Sequence, residues 1–446
     1  MTKIRLGFLF LLIGIYSYAY AYHGVERSGD ITEQVSSYHA YHGVEYNGDI
    51  TEQVSYYRLK KDFLLNPNLE LGLLPKWENL LSANLGLNIS YKEWLKITIK
   101  DRPLWSIKDK DENSCKNFVD EAYIDLKLFK TSFLTIGKEN LQEGVGLSYN
   151  PSDFLADLKE MDYTKREEER KIEREGNYLV RLEEISQKIT FSYLLAPKIN
   201  HLQKEETRSL IKLYSLIGDV DLSLSYLHVK KWPKLGINLS GVIGNKIEFH
   251  AEVGLSKGSQ RKLLREERQV VPGVYEYGTY DDPEDDKMIF TKALIGEHYT
   301  FANKTNVIIE YFFNQDGYSE AEWTNFIDLA TAAYTKFKQP PAELPADIFK
   351  ENLRRANSLM RYRYMRKNYL FFRVSNPEIF DDYDGQISLL LNADDKSLVI
   401  MPAFDYQKWG RLVIRLGLNW FSGNSKSEFG LVPYQTEFQL GVKYLF

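Results

Sequence analysis

The chain has 446 residues, and its 57 Lys and Arg against 62 Asp and Glu give a formal charge of −5, a balance that argues against a nucleic-acid partner. Its single cysteine, Cys115, excludes an intramolecular disulfide framework and a thiolate metal cluster. Tyr, Phe and Trp number 31, 24 and 7, yet 27% of residues are charged and mean hydropathy is negative; strands that alternate an apolar with a polar face average to such values.

The N-terminus places Lys3 and Arg5 ahead of an apolar run from Leu6 to about Tyr18. That run is shorter than the roughly 20 residues a membrane-spanning helix needs. It ends in Ala19-Tyr20-Ala21, the small-x-small pattern of a signal-peptidase site, so residues 1–21 are expected to form a signal peptide cleaved before Tyr22. A retained anchor helix is the competing reading. Without Lys3 and Arg5 the chain keeps 55 basic against 62 acidic residues, a net charge near −7.

Next comes a duplication: YHGVERSGDITEQVSSY over 22–38 returns as YHGVEYNGDITEQVSYY over 41–57, a period of 19. Two copies are a tandem duplication and not a solenoid, which needs about three to bury a core. One copy can supply a first strand and the other an extension, so 22–48 is expected to be a periplasmic extension and 49–446 a barrel. His23 and His42 recur within the repeat without a second ligand at useful spacing, and no metal or other cofactor is expected.

From there the chain alternates with period two, the signature of two-faced strands. Ile247, Phe249, Ala251, Val253 and Leu255 face one way while Lys246, Glu248, His250 and Glu252 face the other. Leu412, Ile414, Leu416, Leu418 and Trp420 do the same, as do Phe438, Leu440, Val442, Tyr444 and Phe446. Eighteen segments follow, near 49–63, 83–91, 94–105, 119–129, 132–141, 177–185, 188–197, 208–217, 220–230, 235–244, 246–257, 288–301, 306–315, 362–374, 385–394, 398–408, 411–422 and 435–446. Many are about 10 to 13 residues long, as a tilted spanning strand requires. The even-numbered connections are short, among them Gly218-Asp219 and Trp409-Gly410, and the long insertions 142–176, 258–287 and 316–361 all fall on the other side. The expected fold is therefore all-β: a transmembrane antiparallel up-and-down barrel of 16–18 strands with short helices in its outer loops.

The last strand, ending on Phe446 with aromatics at alternate positions, resembles the terminal insertion signal of outer-membrane barrels and implies the barrel-assembly machinery as a partner, with outer-membrane lipid around the barrel. The stretch from Gly137-Lys138-Glu139-Asn140 through Gly144-Val145-Gly146 to Asn150-Pro151-Ser152-Asp153 resembles a strand-to-loop passage of porin-like barrels related to the alginate-export type. This second resemblance implies a conduit for anionic polysaccharide or small solutes.

Within a barrel, Arg361, Arg363, Lys367, Arg373, Arg411 and Arg415 are candidates for a basic lumen ladder, opposed by Glu121, Asp125, Glu248 and Glu252 on earlier strands. Fixed charge of one sign along a pore favours the opposite ion; ordinary solvated lining with cross-strand pairing is the alternative. Residues 160–175 read as a densely charged surface helix. In the insertion at 318–360, Trp323, Phe326, Ile327, Ala330 and Tyr334 recur at helical spacing, Pro340-Pro341 interrupts, and a second basic helix follows around 350–355. The first stripe is a candidate constriction or lid, or packs against neighbouring loops.

No enzyme is expected. The histidines are scattered, and no nucleophile-elbow or metalloprotease motif occurs. His250 lies between Glu248 and Glu252, each about 7 Å away along a strand and beyond direct bonding. The sequence reading is thus a channel in the bacterial outer membrane for small hydrophilic solutes, anions among them, in which a homo-oligomer is admissible. The alternative is a non-conducting barrel that binds or organises surface polysaccharide.

Overall fold

The computed structural model describes residues 43–446 except 61, 68–73, 111–112, 157–172, 200–205, 245, 260, 342–345 and 361–363. The expected signal segment, the first repeat copy, His23, His42, His201, Arg361, Arg363 and most of the charged stretch 160–175 lie outside the described residues.

Period-two alternation builds the strands. They are β1 (Gly43–Leu59), β2 (Trp77–Tyr91), β3 (Leu95–Lys108), β4 (Ser114–Lys127), β5 (Ser132–Glu139), β6 (Asn177–Ile185), β7 (Ile189–Ala196), β8 (Arg208–Ile217), β9 (Val220–His228), β10 (Lys234–Ile243), β11 (Ile247–Lys257), β12 (Leu263–Val271), β13 (Val274–Tyr280), β14 (Ile289–Thr300), β15 (Asn306–Asn314), β16 (Asn368–Phe380), β17 (Tyr383–Asn392), β18 (Leu398–Trp409), β19 (Leu412–Ser422) and β20 (Tyr434–Leu445). Among the described residues, all but β12 and β13 form one 18-stranded antiparallel sheet. It closes because β20 pairs with β1, from Asp49↔Leu445 to Tyr56↔Phe438, which leaves no open edge. Each of the eighteen expected segments overlaps a barrel strand. β1 begins earlier than expected, at Gly43 within the second repeat copy, and β16 begins and ends later.

The connections sort as expected by parity. Residues 92–94, 128–131, 186–188, 218–219, 244–246, 301–305, 381–382 and 410–411 are tight turns at one end, and the long segments 60–76, 140–176, 258–288, 315–367 and 423–433 are at the other. Both barrel ends of the chain sit with the short turns, where Gly48 and Phe446 exchange main-chain hydrogen bonds.

Facing outward is an apolar surface with exposed Leu85, Ile136, Leu213, Ile309, Leu416 and Val442. Aromatics rim it at the short-turn end, where Tyr91 meets Trp94, Tyr299 meets Phe301, and Tyr383, Tyr406 and Trp409 follow one another in contact. The other rim carries exposed Tyr56, Trp77, Trp105, Tyr193, Tyr311 and Trp420. Two amphipathic belts around an apolar band are what a bilayer with two interfaces selects.

The long-loop end carries its own apolar core. Helix α1 (Glu320–Lys338) starts at Ser319 because Ser319 and Glu322 form a reciprocal capping box. Its stripe of Trp323, Phe326, Ile327 and Ala330 is buried with Leu353 of helix α2 (Asp347–Leu359), with Leu263, Leu264 and Tyr277 of the β12–β13 hairpin, and with Phe63 and Leu65. Tyr334 is partly buried, and its hydroxyl donates to Asp62 at 2.9 Å. The stripe thus packs against neighbouring loops. The β12–β13 hairpin was not among the expected elements.

Candidate functional site

After β5 the chain turns into the barrel, and residues 140–156 cross its interior. A segment there has no strand partner for its main-chain N–H groups, and burying them unpaired is costly. Two wall carboxylates receive them. Glu252 on β11 accepts from the N–H of Val145 at 3.0 Å and of Ser152 at 2.6 Å, and from the Ser152 hydroxyl at 2.8 Å. Glu310 on β15 accepts from the N–H of Leu147 and of Ser148, each at 2.7 Å, and meets His250 Nε2 at 2.8 Å. Both carboxylates are fully buried, and such burial is tolerable because several donors converge on each charge.

Apolar contacts fix the same loop at both flanks. Phe154 and Leu155 pack on Leu179, Leu194, Leu210 and Leu227 of β6–β9. Leu147 and Tyr149 pack on Leu294, Phe312 and Tyr369 of the opposite flank. Each such side chain contributes about 1.5–3 kcal/mol when fully buried. The wall makes room with glycine: a Cβ on Gly254 would run into the Pro151 carbonyl, and one on Gly236 into the Ser225 hydroxyl and Ser152.

The loop packs against the side of the barrel formed by β6–β11 and β14–β16 and leaves space along β17–β20, β1 and β2. A cavity there is lined by Thr51, Gln53, Ser82, Gln386, Ser388, Arg415, Asn419, Gln439 and Lys443, with Leu80, Met401, Pro402, Ala403 and Leu418 between them and Glu173 from the returning segment. Both cations of this lining are paired with carboxylates. Arg415 holds Asp405 through two hydrogen bonds of 2.9 Å. Lys443 lies 3.2 Å from Asp49. Glu437 accepts from Asn419 at 3.0 Å and from Gln439 at 2.9 Å.

The residues singled out in the sequence are dispersed around this space. Arg415 lines it, and Arg411 sits in the short turn just ahead of β19. Arg373 is buried on the inner face of β16, and Lys367 precedes that strand with its main-chain N–H on Asp394 at 2.7 Å. Glu121 pairs with Lys100 at 2.8 Å, Asp125 accepts from Thr135 at 2.5 Å, and Glu248 lies 3.4 Å from His298. Glu252 anchors the inward loop. His250 reaches a carboxylate after all, on a neighbouring region of the wall and not on its own strand.

Sequence reading missed Glu310, Asp405 and Arg181, the last bound to Glu139 at 2.7 Å and Glu183 at 2.9 Å. Glu310 had a signal: it is the lone charge in the run Val307-Ile308-Ile309-Glu310-Tyr311-Phe312-Phe313, where a carboxylate needs a buried partner. The stretch Gly144 to Asp153, whose pattern suggested a strand-to-loop passage, is the inward loop itself.

A third buried carboxylate ties the long-loop segments together. Glu428, between β19 and β20, accepts from Met365 N–H at 3.0 Å, the Tyr369 hydroxyl at 2.6 Å and Asn392 at 2.7 Å. Burial pushes its pKa up to about 7, with Asp395 adding to the rise and the three donors opposing it.

No protein-family model and no curated protein matches the chain. Solved structures do. The Pseudomonas aeruginosa OccK11 (OpdR) structure matches with a TM-score of 0.51 at 10% identity, covering 90% of this chain and 96% of that one. OccAB1 of Acinetobacter baumannii gives 0.51 at 9% identity over 90% and 96%. A triple mutant of the Rhodopseudomonas blastica porin gives 0.41 at 13% identity over 91% and 100%. What the chain shares with OccK11 and OccAB1 is the fold of a porin-like closed barrel.

Proposed function

We propose that the protein is an outer-membrane channel through which small hydrophilic solutes pass beside the inward loop, along the polar wall of β17–β20, β1 and β2. The observation that carries this reading is the cavity to which these strands turn hydroxyl, amide and charged side chains, while the apolar contacts of residues 140–156 occupy the other flank. Amides and hydroxyls exchange hydrogen bonds with a passing solute at little cost. Arg415 and Lys443 add a mild preference for anions, mild because each already faces a carboxylate. Delivery by a cleaved signal peptide and insertion through the strand ending at Phe446 belong to the same reading.

Planar-bilayer recording from refolded, heat-modifiable protein tests it. Discrete conductance steps are expected. Silence from a correctly folded barrel would overturn it in favour of a plugged barrel that organises surface polysaccharide.

A further inference from the structure

β1 is built from the second copy of the 17-residue repeat, and its neighbours contact residues that both copies share. Inside the barrel, Asp49 receives Asn84 at 3.1 Å and Lys443 at 3.2 Å, and the Tyr57 hydroxyl reaches Glu78 at 3.3 Å. Nineteen residues earlier stand Asp30 and Tyr38. At Gly48 a Cβ would run into the Asn84 carbonyl and the Phe446 ring, and its counterpart is Gly29. Thr51, Gln53 and buried Ser55 recur as Thr32, Gln34 and Ser36.

The copies differ toward the strand ends. Tyr46 and Tyr56, 69% and 58% exposed on the outer face, correspond to Arg27 and Ser37, and Asn47, Arg58 and Leu59 to Ser28, His39 and Ala40. We infer that the slot between β2 and β20 accepts either copy of the repeat, the second being favoured by its two rim tyrosines. Interfacial tyrosine is preferred to serine or arginine at such depths. With the first copy in place the strand order and both faces are unchanged, and the outer connection now at 60–76 gains nineteen residues. The barrel thus carries a spare first strand whose use would remodel its outer mouth, a two-state element biased by a few side chains.

Cysteine pairs on a C115S background test this in the full chain, because Ser55 lies opposite Gln439. S55C/Q439C is expected to cross-link as the major species. S36C/Q439C is expected to cross-link as a minor one that rises at least several-fold when the rim residues are exchanged (R27Y, S37Y, Y46R, Y56S). Deleting 41–59 joins the first copy to Lys60 in the same register and is expected to give a heat-modifiable barrel in yield similar to deleting 22–40, which keeps a tyrosine after Ala21. No S36C/Q439C cross-link in the exchanged chain, or no barrel from the 41–59 deletion where the 22–40 deletion folds, would overturn the inference.

Discussion

Glu252 has four donors from the inward loop, the N–H groups of Val145, Gly146 and Ser152 and the Ser152 hydroxyl, and Glu310 has two, with His250 as a third partner. Glu252→Gln keeps the shape but turns part of an acceptor into a donor facing donors, which costs about 1–3 kcal/mol for the group left unpaired. The loss falls on residues 140–156, because the strand that carries Glu252 keeps its ladder on both sides. The expected outcome is a barrel of unchanged heat-modifiability whose single-channel current is larger or noisier. An identical, quiet current would show that the loop does not depend on this carboxylate.

Glu428 supplies a pH dependence at the same scale. Its folded pKa of about 7 lies above the ordinary carboxylate value of 4.5, so the folded state holds the proton more tightly than the unfolded one. Stability of the outer clasp is then greatest below pH 4.5 and falls as pH rises toward 7, by on the order of 3 kcal/mol in total. Hydrogen exchange in 365–369 and 423–431, corrected for intrinsic rates, is expected to be better protected at pH 5 than at pH 8. Glu428→Gln should flatten that difference, and a clasp that tightens on alkalinisation would contradict the assignment.

At the scale of elements, α1 keeps its apolar stripe dry only through the outer-end core. Trp323 stacks on Phe326 and donates its indole N–H to the Lys426 carbonyl at 3.0 Å, so Trp323→Ala should cost about 3–5 kcal/mol. The cost belongs to the core of the long-loop end, since the barrel ladder does not run through it. Limited proteolysis should therefore cut within 315–367 far faster while the barrel stays folded; resistance equal to the parent would mean that this core does not rely on Trp323.

The strands of the barrel were legible because each shows lipid on one side and lumen on the other, which writes period two into the sequence. The β12–β13 hairpin was not: Arg265-Glu266-Glu267-Arg268 is charged throughout, and its buried Leu263 and Leu264 are adjacent instead of alternate. Val271-Pro272-Gly273-Val274 was the turn signal available. The helix in 318–360 was visible from its spacing, while its partners were not. The inward loop was invisible as such, since Val145 and Leu147 find their carboxylates more than a hundred residues away and no local pattern encodes that pairing.

For the whole molecule the question is how the paired charges along the open wall act on ions. The sequence left a basic ladder and cross-strand pairing as alternatives, and Asp405 faces Arg415 because β18 and β19 are hairpin neighbours in register. A neutral pair leaves little field at a distance, whereas Asp405→Asn would leave one positive charge and Arg415→Glu two adjacent negative ones. A unit charge about 8 Å from a passing ion in water is worth roughly 0.5 kcal/mol, or about twofold in permeability ratio. Reversal potentials under a salt gradient near 0.1 M should move toward anions in Asp405→Asn and toward cations in Arg415→Glu. Both shifts should shrink near 1 M, where the screening length is about 3 Å. If neither variant moves the reversal potential at low salt, ions do not pass along this wall.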